Sequence, residues 1–400
     1  MEPGALDGLR VLDLTDQKGG LCGRLLADMG ADVIKIEPPD GDPARRIGPF
    51  LDDEPHPDRS LFFWFYNLNK RSVTVDYRRA PGLELLLRMA GSADVIIESF
   101  KPGTLEELGA GWEKLHRLNP ALIVCSITPF GQYGPYRDYA ADDTVLTALS
   151  GMLYTCGYPN EPPVRPWGLQ AYHCASYYAA IALIGALFAR ERDGEGQWVD
   201  VSIQEANAAG IEHVAGNYFG AQVIPGRYGS MHWARGFRVA KCKDGWVLHC
   251  LAGDWTTLIE WVKADGKAED LGDPKWGERP YQRANVEHVF DVLDKWVADY
   301  RAGELLARAQ ELRLPYGVAQ WPDKLLDDEH LAARGYFREV EHPELQRTFR
   351  YPGAPYLFGA TPWRVYRRPP LLGEHTAEVL SRDLGLGPEE LAALKYEEVI

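Results

Sequence analysis

The segment LRVLDLT (9–15) is apolar almost throughout, as in a strand covered on both faces. DQKGG interrupts it, and LCGRLLADMG follows with a helical spacing closed by Gly30. DVIKIE (32–37) is a second strand, ended by PPDGDP. Strand, helix and strand in this compass predict a βαβ unit. The alternation continues. RSVTVDY (71–77) reads as a strand, LELLLRMAGSA as a helix and DVIIESF (94–100) as a strand. LEELGAGWEKLHRLNP is a helix stopped by proline, and LIVCSIT (122–128) another strand. Helices alternating with buried strands predict an α/β large domain, doubly wound and Rossmann-like.

GLQAYHCASYYAAIALIGAL (168–187) predicts one long helix, since no Asp, Glu, Lys or Arg stands between Pro166 and Ala189. Its polar groups, Gln170, Tyr172, His173 and Ser176, crowd the first turns. A helix that begins polar and ends apolar directs its first turn toward a site. The length would span a membrane, but three tyrosines, a histidine and two glycines favour a core helix. GQWVDVSIQEANAAGIEHVAGNYF adds a strand and a helix. From about Ile224 the texture changes: HWARGFRVAKCKDGWVLHCL (232–251) reads as a hairpin turning at KDG. Trp255 to Gln310 reads as helical and LPYGVAQ (314–320) as extended. These patterns predict a large domain over 1–224, a small α+β domain over 225–325, and a segment 326–400 that returns to the first.

Four hundred residues, 46% hydrophobic and 25% charged, suit two globular domains. The net charge of −15 argues against general nucleic-acid binding, which needs clustered Lys and Arg. Cys22, Cys125, Cys156, Cys174, Cys242 and Cys250 form no C-x-x-C pair and read as reduced, buried thiols. MEPGALDGLR has no apolar signal core. Together these features predict a cytoplasmic protein.

DQKGG is a weak nucleotide signal, because G-x-G-x-x-G and the P-loop are both absent. NLNKRS (67–72) sets Lys70 and Arg71 at the start of a strand, and ESFKPG (98–103) sets Lys101 at the end of another. Open α/β sheets bind ligands at the carboxyl ends of strands. Lys70, Arg71 and Lys101 are therefore candidates to meet a phosphorylated ligand, against the plainer reading of solvated surface charge. No zinc spacing and no G-x-S-x-G elbow occurs. Asp142 and Asp143, at a helix start, read most simply as an N-cap with a favourable dipole contact.

Taken in order, LDGLRVLDLT, LLADMGADVIKIEPPDGDPAR, NLNKRSVTVD, ADVIIESFKPGTLEELG, SITPFGQYGPY, ALFARERDGEGQWVDVSIQEA, GYFREVEHPEL, YPGAPYLFGATPW and PLLGEHTAEVL resemble the class III coenzyme A transferases. That family, also called CaiB/BaiF, includes formyl-CoA transferase, carnitine CoA-transferase and the α-methylacyl-CoA racemases. The resemblance runs nearly end to end. It implies an interlocked dimer of ring-like subunits, acyl-CoA as substrate, no covalently bound cofactor and no metal. It places CoA near Gln17, the end of KIEP, Lys70 and Arg71, and Ser99, Phe100 and Lys101. Ser99 stands where the family often has Asn.

The resemblance also implies a negative. Active transferases carry an Asp near the start of the helix preceding R-x-x-G-x-G-Q, and its carboxylate attacks the acyl-CoA thioester. Counting back from RDGEGQ places that Asp at Tyr172, or at His173 with a shift of one. A phenol is a poor nucleophile near neutrality unless a base activates it. Racemase chemistry needs a His–Asp pair, and those positions fall on Asp142 and Tyr172. The leading expectation is a non-catalytic subunit with an Asp-bearing paralogous partner, as in the benzylsuccinate CoA-transferases. Trp167, Tyr172, Tyr177, Tyr178 and Trp233 are compatible with an aryl substrate, against plain core packing. The alternatives are a CoA-thioester lyase, hydratase or isomerase using His173 or Tyr172 as acid–base, a transferase drawing its carboxylate from Asp142 or Asp143, and a CoA-binding protein without turnover.

Overall fold

The computed structural model describes residues 3–400. They divide into two compact units. Residues 3–152, 166–213 and 333–400 form the larger, and residues 153–165 and 214–332 the smaller.

The larger unit is built on six parallel strands: β1 (Arg10–Leu14), β2 (Asp32–Glu37), β3 (Arg71–Thr74), β4 (Val95–Glu98), β5 (Ile123–Thr128) and β6 (Trp198–Ser202). Their order is β3-β2-β1-β4-β5-β6, the doubly wound arrangement. Helices up to the middle of the chain are α1 (Gly20–Asp28), α2 (Leu61–Tyr66), α3 (Ala80–Ala90), α4 (Thr104–Leu108), α5 (Trp112–Leu118), α6 (Asp143–Leu149), α7 (Met152–Thr155), α8 (Gln170–Asp193), α9 (Ile203–Ala209) and α10 (Glu212–Ala221). The period-two alternation of each strand feeds two cores. Val11, Val33, Val95, Ile97, Cys125 and Ile127 face α1 and α8. Leu12, Ile34, Ile36, Val73, Ile96 and Val124 face Leu86 of α3 and Leu115 of α5.

α8 lies on the sheet through Ala171, Ala175, Ala179, Leu183 and Ala186, all buried. These mostly small side chains let the helix approach the strands closely. Gly194 ends it in the left-handed conformation at φ 77°. Its other face leaves Tyr177, Ile181, Ile184 and Phe188 exposed.

In the smaller unit the predicted hairpin forms as β7 (Phe237–Lys241) and β8 (Trp246–Cys250), and β9 (Gly317–Val318) adds an antiparallel edge. Against them stand α11 (Trp255–Ala264), α12 (Arg279–Ala284), α13 (Val286–Val297) and α14 (Ala302–Glu311). Trp261, Trp276, Trp296 and Leu293 form the core. This unit begins at 214, earlier than the expected 225, and it takes in residues 153–165. The reason is a set of turn contacts without apolar periodicity. Gly229 N–H donates to Gly157 O at 2.9 Å, and the Arg227 guanidinium donates to Tyr154 O and Tyr158 O.

Residues 333–400 belong to the larger unit. After α15 (Glu329–Ala333) comes the hairpin β10 (Phe337–His342) and β11 (Arg347–Pro352), then α16 (Thr376–Leu384) and α17 (Pro388–Tyr396). α16 closes the β3 edge: Thr74 N–H donates to Thr376 Oγ1 at 2.9 Å, and Arg71 meets Glu378 at 3.0 Å.

Beneath the carboxyl end of the sheet lies a fully buried ion pair, Lys70 Nζ to Asp13 Oδ2 at 2.6 Å. Lys70 also donates to Gly20 O and Asn67 Oδ1. Burial pushes the Asp13 carboxyl up, but Lys70 and Lys35 together hold it below its ordinary value. Removing one partner of a buried pair leaves an uncompensated charge and costs about 3–5 kcal/mol. Lys70→Ala should lower stability to denaturant by that amount. A loss below about 1 kcal/mol, the scale of an exposed pair, would contradict this placement.

Candidate functional site

The chain winds from β1 to β2 and β3 on one side, then restarts at β4 on the other. At that reversal two strand-to-helix loops separate and open a crevice, the usual ligand position in such sheets. Here it is a cleft of about 250 Å³ lined by Thr15 and Asp16 after β1, Pro38 and Arg46 after β2, Tyr77 and Arg78 after β3, and Ser99 and Phe100 after β4. Asp16 N–H donates to Ser99 Oγ and Ser99 Oγ–H to Asp16 Oδ1, both at 2.9 Å, so the two loops hold each other. The Lys18 ammonium is paired with Asp16, and Gln17 is half-buried between them. At the rim, Arg46 meets Asp40 at 2.9 Å and Arg78 meets Asp76 at 2.6 Å.

The expected cations separate into two groups. Lys101 is 70% exposed and lies 3.9 Å from Asp138. Lys70 and Arg71 are buried, not surface charges, and neither lines the cleft. Lys70 is consumed by Asp13 inside the protein. Arg71 begins β3, at the end of the sheet away from the cleft, where Asp32 holds it at 2.5 Å together with Glu378. Lys35 is likewise buried under the cleft against Asp42 at 2.5 Å. Besides buried Lys35, the cations that line the cleft are Arg46 and Arg78. Sequence reasoning passed over both, although each follows a β-strand in the loop where an α/β ligand cation belongs.

The first turn of α8 carries Tyr172 and His173. Tyr172 is 3% exposed. Burial, then the negative charges of Asp16, Asp143 and Asp142, push its phenol well above the ordinary value. Asp142 caps α6, accepting from Val145 N–H at 2.9 Å, as the sequence predicts. Asp143 does related work for α8: its Oδ1 accepts the Tyr172 N–H at 3.1 Å, one of the amides a helix start leaves without a partner. His173 Nε2 lies 2.7 Å from the Tyr66 hydroxyl. Burial lowers the imidazole below its ordinary value, and burial with the Asp143 charge pushes Tyr66 up to about 12. The turn therefore presents a protonated phenol and a neutral phenol–imidazole pair, and no carboxylate of its own. Among the described residues no cluster of His, Cys, Asp and Glu could hold a metal ion.

Within the larger unit, the candidate aromatic residues Trp167, Tyr177 and Tyr178 do not gather around Tyr172. Trp167 is 95% exposed. Tyr177 and Tyr178 project from the outer face of α8, and Tyr177 lines a separate apolar cavity of about 600 Å³ with Leu25, Phe65, Ile181 and Tyr356. Trp233 belongs to the smaller unit.

CoA-transferase family III matches residues 6–376, and the chain belongs to that family. It is 35% identical over 382 residues to the succinyl-CoA:(R)-benzylsuccinate CoA-transferase subunit BbsE of Thauera aromatica, covering 93% of this chain and 92% of that one. It is 35% identical over 402 residues to the succinyl-CoA–D-citramalate CoA-transferase of Chloroflexus aurantiacus, covering 100% and 98%. The crystal structure of a CAIB/BAIF family protein from Brucella suis superposes with a TM-score of 0.86 at 29% identity, over 96% of this chain and all of that one. CoA thioesters are the substrates of this family, as the resemblance implies.

Because burial holds His173 below its ordinary 6.5, its imidazole should titrate below that value in the folded protein. The sign follows by linkage. Below 6.5 the unfolded chain binds the proton that the folded chain refuses, so this contribution to stability is lost as the pH falls. NMR titration of the His173 ring, assigned with a His173→Gln variant, checks it. A midpoint at or above 6.5 would contradict the neutral pair with Tyr66.

Proposed function

We propose that this member of CoA-transferase family III is the subunit of a heteromeric CoA-transferase that does not carry the nucleophile. The observation that supports this most is the first turn of α8. Where the resemblance places a carboxylate, Tyr172 stands buried, and three nearby acidic groups oppose its ionisation. A phenolate is the form that could attack a thioester, and this setting disfavours it. Asp143 does not substitute. It is 4% exposed, and its oxygen is turned to the α8 amide. A relative of this chain is itself named a subunit of a CoA-transferase, which agrees with the reading.

In this proposal the paralogous partner supplies the attacking carboxylate. It displaces CoA from the thioester to form an acyl anhydride, and the released thiolate returns to give a carboxylate-bound thioester and the free acid. A second acid then reverses these steps. The acyl bond broken is matched by one formed at each stage, and no proton need be held by Tyr172. This chain contributes the fold around the partner and its own cleft, where Arg46 and Arg78 offer charge-assisted hydrogen bonds to phosphate. The substrates are carboxylic acids and their CoA thioesters.

A second reading has its own observation, the Tyr66–His173 pair, which could move a proton at a CoA-thioester substrate. One substitution separates the two. His173→Gln in the complex with an Asp-bearing paralogue should keep most of the transferase rate. A loss on the order of 100-fold, the scale of a missing acid–base group, would transfer the chemistry to this turn. Native mass spectrometry of the co-expressed pair should show a 1:1 assembly. A fully active homodimer that excludes the paralogue would overturn the subunit reading.

A further inference from the structure

We propose that Glu98 is a proton-linked positioning residue of the cleft: it anchors the Ser99–Lys101 loop through Phe100 and takes up a proton when a polyanionic carrier occupies the cleft. The inference rests on the reading that CoA binds between the β1 and β4 loops.

Glu98 is the last residue of β4 and is 3% exposed. Its Oε2 accepts the Phe100 N–H at 2.7 Å, so the carboxyl holds the first turn of the loop from below. The Ser126 hydroxyl on β5 is its other hydrogen-bonding partner, and Ser126 Oγ in turn accepts the Trp198 indole N–H at 3.0 Å. One chain of hydrogen bonds thus runs from β6 through β5 to the loop that lines the cleft. Beside the carboxyl is a space of about 10 Å³, no larger than a single water, bounded by Leu105, Trp112 and Trp198. Bulk water does not solvate this charge.

The charges facing Glu98 offer it little support. Glu106 of α4 opposes its ionisation, and Lys18 favours it weakly while paired with Asp16. Lys101 and Gln132 reach the same small space. Lys101 is mostly in solvent. Asp200 on β6, in register with Ser126, accepts the Gln132 N–H. On α5, His116 stacks behind Trp112 and is turned toward Glu195. Burial is the dominant influence and pushes the carboxyl up to about 7.

Protonation does not release the loop. The neutral carboxyl still accepts from Phe100 through its carbonyl oxygen and can donate its O–H to Ser126. What changes is the charge. CoA brings a diphosphate and a 3′-phosphate to a cleft whose wall includes Ser99 and Phe100, the two residues after Glu98, and this carboxyl holds the second of them. Negative charge arriving there opposes ionised Glu98 and favours the protonated form. By linkage, protonation favours the anion equally, so affinity rises as the pH falls through 7.

The test is calorimetry of CoA binding to the assembled protein at pH 7, in buffers of different ionisation enthalpy. Wild type should take up more protons than Glu98→Gln, by at most about half a proton, because a group near its midpoint is half-ionised beforehand. The amide keeps the size of the side chain and both hydrogen-bonding roles, and the subtraction cancels protons exchanged by CoA itself. Equal uptake with measurable binding overturns the proposal and leaves the CoA reading standing. No binding heat and no displacement of a fluorescent CoA analogue in either protein overturns the CoA reading and this inference with it. If Glu98→Gln does not assemble, Ser126→Ala serves. Removing the hydroxyl that supports the ionised form should move the uptake maximum to higher pH, and an unmoved maximum overturns the proposal.

Discussion

The carboxyl end of the sheet depends on one buried ammonium. Lys70 Nζ gathers Asp13 at the end of β1, the Gly20 carbonyl at the start of α1 and Asn67 at the exit of α2. An unpaired ammonium in this position would be costly, so the three segments must converge on it. α1 can sit close enough only because residue 23 is glycine. A Cβ there would stand 2.4 Å from Asp13 Oδ2. The consequences reach outward in two directions. Fixing β1 fixes Thr15 and Asp16, and through Ser99 the loop above Glu98. Fixing Asn67 fixes Tyr66 beside it, and hence the hydroxyl that meets His173.

The large-domain strands were legible because parallel strands buried on both faces leave runs of Val, Ile and Leu that few other structures need. The same logic found β7 and β8 from their alternation and turn. The cations were not legible in the same way. Lys70 and Arg71 look like surface charges in NLNKRS, and their partners Asp13, Asp32 and Glu378 are remote in sequence. Only the fold brings opposite charges together, so a buried ion pair and a solvated cation read alike in one dimension. Residues 153–165 escaped for a similar reason, since backbone contacts of Gly157 and Tyr158 tie them to their unit. The α8 turn was readable in composition, but its electrostatics were not. That Asp143 faces the Tyr172 amide follows from α6 lying beside α8.

That electrostatic setting is the physical content of the functional account. A helix start favours negative charge. Here that preference is met from outside α8 by Asp143, while the helix supplies an uncharged phenol and a neutral imidazole. The turn packs Ala171, Tyr172 and Ala175 into the core and carries no carboxylate of its own. On the proposed reading, the family fold keeps its architecture and a cleft at the sheet reversal while Tyr172 stands where the resemblance places the attacking carboxylate.

The central claim is that no carboxylate of this chain is acylated during turnover. The direct measurement is covalent trapping: the active complex is incubated with acyl-CoA and hydroxylamine, and both chains are mapped by peptide mass spectrometry. The account predicts a hydroxamate on an Asp of the partner and none on this chain. A hydroxamate on any Asp or Glu of this chain, Asp143 included, would contradict it.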